Sequence, residues 1–436
     1  MDLAPTDDQL EAAKLAFKKC RWRYRARKPS KAGPTYHGFT APFRATDKAM
    51  LNLPVVPFDF EVELGGSHVT DAGLFGLRQQ THLKGLFLRS CPVTDAGLKH
   101  VAALRGLELM DMTGTAITDA GLVELRGLTS LKVLNLHRTA VSDDGLVALK
   151  PLTNLRYLGV NGHDTTDDRL QAFRAGGLMH LLNGAKGPDG RGVLSQGGVT
   201  QMDLGHTPVT DWGLKELHAL PNLRELNLGG TKVSDAGLAH LAPLRHLTTL
   251  RLFSTAVTGT GLRHLAGCDG LSIDFGETPV SDTILAGLPS LPGVVGLDLS
   301  RSAVTERCVR CLASFPNLRS LSLQGLTLTE AGVAEIAGVE RLTHLGFHST
   351  RVTDAGVNEL ARLPHLTSLC LDFTAVTDAG LKRLETFRNL THLSLSHTHV
   401  TLAAVKRLKK ALKGCQVNYY PWSTDSPGID WFAPAV

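Results

Sequence analysis

Residues 342–365 read Leu342-Thr-His-Leu345-Gly-Phe347-His-Ser-Thr350-Arg-Val352-Thr353-Asp354-Ala-Gly356-Val357-Asn-Glu-Leu360-Ala-Arg-Leu363-Pro-His365, and the same pattern begins again at Leu366. The glycine of its Thr-Asp-Ala-Gly signature recurs at Gly73, Gly97, Gly121 and Gly145, at Gly213, Gly237 and Gly261, and at Gly332, Gly356 and Gly380. Within each run the step is 24 residues. A unit of that length cannot bury its own apolar face and must stack on copies of itself.

The local chemistry says what one unit looks like. In Leu131-Lys-Val-Leu134-Asn-Leu136 the leucines Leu134 and Leu136 fall at period two and face inward, as in a short strand. Thr139 follows, and the same threonine stands at Thr115, Thr207, Thr231, Thr255, Thr278, Thr350, Thr374 and Thr398. A hydroxyl buried there is expected to bond the backbone of the turn. Ser142, Thr94, Thr118, Thr210 and Thr353 stand before the Asp, where a side-chain oxygen caps a helix and the Asp complements its dipole. Leu122, Leu125 and Leu128 continue at helical spacing, and Pro-Asn pairs such as Pro221-Asn222 and Pro316-Asn317 close the helix. Each unit is strand, turn, helix, turn. About fifteen of them form an α/β solenoid, a horseshoe with a concave parallel β-sheet and convex helices.

The Leu-x-x-Leu-x-Leu-x-x-Thr-x-Val-Thr-Asp-Ala-Gly-Leu pattern, as in Leu131–Leu146 and Leu366–Leu381, resembles the leucine-rich repeats of bacterial proteins and of F-box and ribonuclease-inhibitor-like proteins. The resemblance covers about residues 60–415. It implies a protein-binding solenoid and, for the F-box members, recruitment of substrates for ubiquitin transfer.

Three segments are expected. Residues 1–59 form a basic helix (about 7–27) and an extended connector acting as a cap, 60–415 the solenoid, and 416–436 an aromatic cap or tail with Trp422, Trp431 and Phe432. The capping-box spacing Thr6-Asp-Asp-Gln9 starts the helix. The glycine-rich stretch 183–198 replaces one convex helix with an irregular loop, since Arg169 stands at the glycine position and Gly213 follows after 44 residues. It lacks the phosphate-loop pattern although it contains Lys186.

Charge is uneven. Residues 1–50 hold eleven Lys or Arg against five Asp or Glu, and the rest holds 35 against 36. The basic run 18–31, with Trp22 and Tyr24 interleaved, permits a contact with nucleic acid or another anionic surface. No apolar run is long enough to span a bilayer, no leader is evident, and the seven cysteines are scattered. A cytoplasmic, non-enzymatic protein without cofactor is the expectation.

Function is expected on the concave face, where a protein partner meets mixed aromatic, arginine and carboxylate chemistry. Its candidate residues are Phe87, Arg89, Asp111, His137, Arg138 and Tyr157 in the first half, and Asp203, His206, Arg251, Phe253, Asp298 and Arg301 in the middle. His344, His348, Asp372, Phe373, His392 and His397 complete the set. A metal-dependent hydrolase at His348, Asp372 and His397 is a further reading, because those residues fall in neighbouring strands.

Overall fold

The computed structural model describes residues 4–27, 36–161 and 165–421. The chain divides into two compact units, Met1–Gln201 and Met202–Val436. Each is an α/β solenoid of stacked repeats.

In the first unit the strands Tyr36–Thr40, Phe60–Glu63, Leu83–Phe87, Leu109–Asp111, Val133–Asn135 and Tyr157–Gly159 pair in parallel, each with the next. In the second unit the strands from Glu225–Asn227 to Gln416–Asn418 do the same. The register advances by one repeat per strand, so that Leu134 meets Leu158, and Leu345 meets Leu369. Leu122, Leu125, Leu128, Leu131, Leu134 and Leu136 are all buried. Burial of each such leucine contributes about 1.5–3 kcal/mol, which drives the stacking. Among the described residues no helix is long and apolar enough to cross a membrane.

The recurring threonine does what its chemistry requires. Thr115 Oγ1 donates to the Met112 carbonyl at 2.7 Å, and the equivalents from Thr139 to Thr398 donate in the same way. The caps are in place at Thr94, Thr118, Thr210 and Thr353, which each accept from the backbone two residues on, but not at Ser142, whose hydroxyl donates to Asp119 and caps no helix.

The Asp of the signature has a second role that its sequence neighbours conceal. Asp95 Oδ1 accepts from the Thr118 backbone N–H at 2.8 Å and Oδ2 from the Thr118 hydroxyl at 2.6 Å, one repeat further on. The same pair of bonds links Asp71 to Thr94, Asp119 to Ser142, Asp211 to Ser234 and Asp354 to Thr377. This lock also explains the glycine, because a Cβ on Gly121 would overlap the Asp95 carboxylate. Asp235 is the most heavily bonded member: its carboxylate accepts from Thr258 N and Oγ1, Gly259 N and Gly261 N. Burial alone would raise its pKa, yet these donors together hold it below the ordinary carboxylate value of 3.8. A depressed folded pKa adds stability above the unfolded value and loses it as pH falls through the folded one. Urea unfolding of the Asp235→Asn variant is therefore expected to show a deficit at pH 7 that shrinks as the pH is lowered below about 4. A deficit independent of pH would contradict the assignment.

Two expectations for the amino-terminal region are corrected. The first helix is Asp7–Lys19, opened by the Thr6/Gln9 capping box, and it does not continue to residue 27. Instead Arg23–Arg27 is a strand antiparallel to Tyr36–Thr40. The Arg-Tyr-Arg-Ala-Arg alternation has a strand's period of two, and it read as a basic run only because the cations dominate its composition. The segment read as a connector also contains a repeat: Thr46-Asp47 lies 24 residues before Thr70-Asp71, and Asp47 accepts from Thr70 N and Oγ1. Phe17, Trp22 and Phe39 are buried together, with Phe17 stacked on Phe39 at 3.9 Å between ring centres. This aromatic group covers the apolar end of the first strands. The tail aromatics Trp422, Trp431 and Phe432 lie outside the described residues.

Around the glycine-rich stretch, no α-helix occurs between Asp167–Ala175 and Asp211–Leu214 among the described residues. The chain there forms a two-residue strand, Ala185–Lys186, and a tight turn closed by the Gly187 N–H on the Arg191 carbonyl. Arg169 fills the place of the signature glycine with an ion pair to Asp143 at 3.1 Å.

Candidate functional site: the solvent side of the strands

Two outward columns run across each ladder. One carries Phe87 and Asp111 in register with Glu63 and Asn135 in the first unit. In the second unit the same column carries Arg251, Asp274, Asp298 and Ser322 on consecutive strands. The other column carries Tyr157 at the edge of the first sheet, and His344 and His392 on either side of Ser368.

The carboxylates of these columns are partly spent on the fold. Asp111 is buried, with Oδ1 accepting from Thr113 N and Oγ1 and Oδ2 from the Arg89 Nε at 2.7 Å. Burial opposes its ionisation, and the Thr113 and Arg89 donors overcome that and lower its pKa. Asp203 bonds the Gly205 N–H and the Asn227 amide, Asn135 bonds the His137 N–H, and Asp298 bonds the Ser300 N–H. An Asx side chain that closes the strand end in this way is held rigid. Asp274 differs. Burial, reinforced by Asp298 on the next strand, raises its pKa despite the Gly276 N–H and Arg251.

Arg138, His206, Arg301, Phe373 and His397 require a correction. They were expected on the strand face, but each sits three residues past the last residue of its strand, with a positive φ between 52° and 57°. Gly114, Gly230 and Gly325 hold the same position in other repeats. The left-handed conformation costs a residue with a Cβ about 1–2 kcal/mol, so the exit turn is enforced by the repeats around it. In each unit, taken by itself, such side chains lie along the rim where the strands end.

Ring contacts organise that rim in the second unit. Phe253 meets the His206 ring edge-on at 5.7 Å, and its own ring occupies the space where a Cβ on Gly229 would lie. Phe373 lies between two imidazoles, 5.0 Å from His348 and 4.4 Å from His397, stacked on the latter. The phenyl ring therefore separates the two histidines proposed as metal ligands. Asp372 is turned away from them: Oδ1 accepts from the Ser396 N–H at 2.6 Å and Oδ2 from the Ser394 hydroxyl at 2.8 Å. The three side chains do not converge, which corrects the hydrolase reading; among the described residues no group of three His, Cys, Asp or Glu is placed to hold a metal.

Each of His344 and His392 is steered by the threonine before it. Thr343 and Thr391 donate their hydroxyl protons to the carbonyls of Arg319 and Thr367, so they must accept from the adjacent imidazole Nδ1. The outer Nε2 of both exposed rings is then an acceptor in the neutral state.

The basic amino-terminal run contributes less than its composition suggested. Trp22 is buried, the Tyr24 hydroxyl bonds His37 Nδ1 at 2.8 Å, and Arg27 pairs with Glu61 at 2.8 Å. Its aromatic members are thus in the cap, and only cations such as Arg23 and Arg25 face solvent. Lys28 to Lys31 lie outside the described residues. The Cys308 thiol is fully buried and pushed up to about 12, by burial first and then by Asp282, so it is not a nucleophile at neutral pH.

A family model described as a leucine-rich repeat matches residues 127–150, 219–242 and 244–266. Each match spans one period of the parallel ladder. These three stretches are leucine-rich repeats. Similar solved structures include an internalin of Listeria monocytogenes (18% identity, 95% of each chain, TM-score 0.33) and a leucine-rich-repeat protein of Leptospira interrogans (18% identity, 82% of this chain and 89% of that one, TM-score 0.42). A plant peptide hormone receptor in complex with a peptide is 12% identical over 90% of this chain and 71% of its own, with a TM-score of 0.29. No curated protein matches the chain.

Proposed function

We propose that this leucine-rich-repeat protein is a non-enzymatic scaffold that binds a protein partner through the outward strand columns and the adjoining rim. The observation that carries this reading is the held aromatic row, Phe253 on His206 and Phe373 between His348 and His397. Aromatic side chains already fixed in place lose little entropy on binding and serve as anchors. The reading also takes in Arg251, Arg301 and Asp298 of the second unit and, as a separate surface, Phe87, Arg89, His137, Arg138 and Tyr157 of the first. A reducing compartment suits seven cysteines of which none is paired.

The test is affinity capture from the native host with wild-type protein and with a variant carrying Phe87→Ala, Arg138→Ala, Arg251→Ala and Phe253→Ala. Removal of anchors worth about 2 kcal/mol each is expected to cut recovery of the partner by more than about tenfold, with the far-UV circular dichroism unchanged. Undiminished recovery would sink the reading.

A further inference from the structure

Among the described residues the ladder of the first unit stops at Tyr157–Gly159, whose outer edge is unpaired. Up to that point every step is made. Met112 N donates to the Asn135 carbonyl and Leu136 N to the Gly159 carbonyl, while the Glu108 carbonyl accepts from Lys132 and Val133, and the Lys132 carbonyl from Arg156 and Tyr157. The next donor in that series is Val160 N–H and the next acceptor is the Arg156 carbonyl, and neither has a partner among the described residues. The following strand, Ala185–Lys186, belongs to a different sheet.

A cavity of about 490 Å³ occupies that place, with Tyr157, Leu158 and Val160 on one wall and Ala185 and Lys186 on another. Its volume lies within the range of about 300–1,000 Å³ common for ligand clefts. The chemistry of its lining is one-sided. Among the described residues it contains Arg156 and Lys186, both exposed and without an ion-pair partner, and Arg169, which is engaged by Asp143, and no Asp or Glu. His180, also in the lining, is nine-tenths buried with its Nδ1 unpartnered, while its Nε2 lies 3.3 Å from the Leu155 carbonyl. Nε2 must carry the proton to bond that carbonyl, so Nδ1 presents a lone pair that lacks a donor.

We propose that this edge is a docking slot for an extended, carboxylate-bearing segment of a protein partner, which adds a strand beside Tyr157–Gly159 through Val160 N–H and the Arg156 carbonyl. An open strand edge is a template for main-chain pairing, and pairing of this kind is sequence-tolerant apart from the side chains that meet the walls. Arg156 and Lys186 set that preference towards Glu or Asp at alternate positions of the incoming strand. The edge from Arg156 to Val160 spans about 13 Å at ~3.3 Å per residue, which accommodates a short segment rather than a whole domain. Tyr157 and His137 belong to both readings, but none of His206, Phe253, His348, Phe373 and His397 lines the slot, so the aromatic assignment and this one can fail independently.

The experiment uses the full chain and a fluorescein-labelled hexapeptide alternating valine and glutamate, with the valine–lysine peptide and a backbone N-methylated valine–glutamate peptide as probes of charge and main-chain pairing. The glutamate peptide is expected to raise the fluorescence anisotropy and to slow amide exchange at residues 156–160 by about tenfold, and the other two to bind at least about tenfold more weakly. The charge-reversed variant Arg156→Glu/Lys186→Glu should exchange the preference for the lysine peptide, with the thermal midpoint as a check on folding. No binding of the glutamate peptide, equal binding of the methylated peptide, or binding without protection at 156–160 would each overturn the proposal.

Discussion

Replacing Gly121 by alanine is expected to destabilise the first unit by about 3 kcal/mol, whereas the same change at Gly127, six residues on, is expected to be neutral or to stabilise by up to about 1 kcal/mol. The two glycines lie in one repeat and differ in what surrounds them. A Cβ on Gly121 would overlap the Asp95 carboxylate and crowd Leu98 Cδ1, while a Cβ on Gly127 meets nothing within 4 Å. To make room Asp95 must swing away and give up its bonds to Thr118 N and Oγ1. Hydrogen bonds to a charged group contribute about 1.5–3 kcal/mol each, so the loss of the pair exceeds any gain in helix propensity from alanine. Because neighbouring repeats hold each other, the cost falls on the junction between two repeats. Urea titration followed by circular dichroism reads both variants; equal midpoints would show that the Asp-to-Thr lock contributes nothing.

The Phe39→Ala variant is expected to lose about 3–5 kcal/mol, the usual cost of truncating a fully buried phenylalanine. Phe39 has no exposed surface, stacks on Phe17 at 3.9 Å, and lies 5.8 Å from the Tyr24 ring and 6.1 Å from Phe60. It therefore joins the helix Asp7–Lys19 and the strand Arg23–Arg27 to the first strands of the solenoid. Removal exposes the apolar end that a capping segment must cover. Hydrogen exchange is expected to rise first in peptides spanning 36–63 and least in Val133–Asn135. Uniform exchange across the first unit, or none, would show that the aromatic group is not the cap.

The local half of this architecture is legible in the chain. The 24-residue step, the inward leucines, the threonine hydroxyl bonded three residues back and the Thr caps two residues ahead of their donors all involve neighbours in sequence. Residue type and spacing suffice there, since backbone geometry restricts such groups to a few partners. The same holds for the Thr6/Gln9 capping box.

Contacts that span a whole repeat, or that depend on a backbone angle, could not be read from the chain and arise only on folding. Composition could not say that Asp95 reaches Thr118, 23 residues on, because the stacking distance and not the sequence distance brings them together. It could not place Arg138, His206 and Phe373 at left-handed turns normally given to glycine, nor show Phe373 parting His348 from His397. It read Arg23–Arg27 as helix and basic patch, where pairing with Tyr36–Thr40 makes it a strand. Period and burial are properties of one repeat and are written in it, whereas the chemistry of the strand face arises between repeats and exists only once they are stacked.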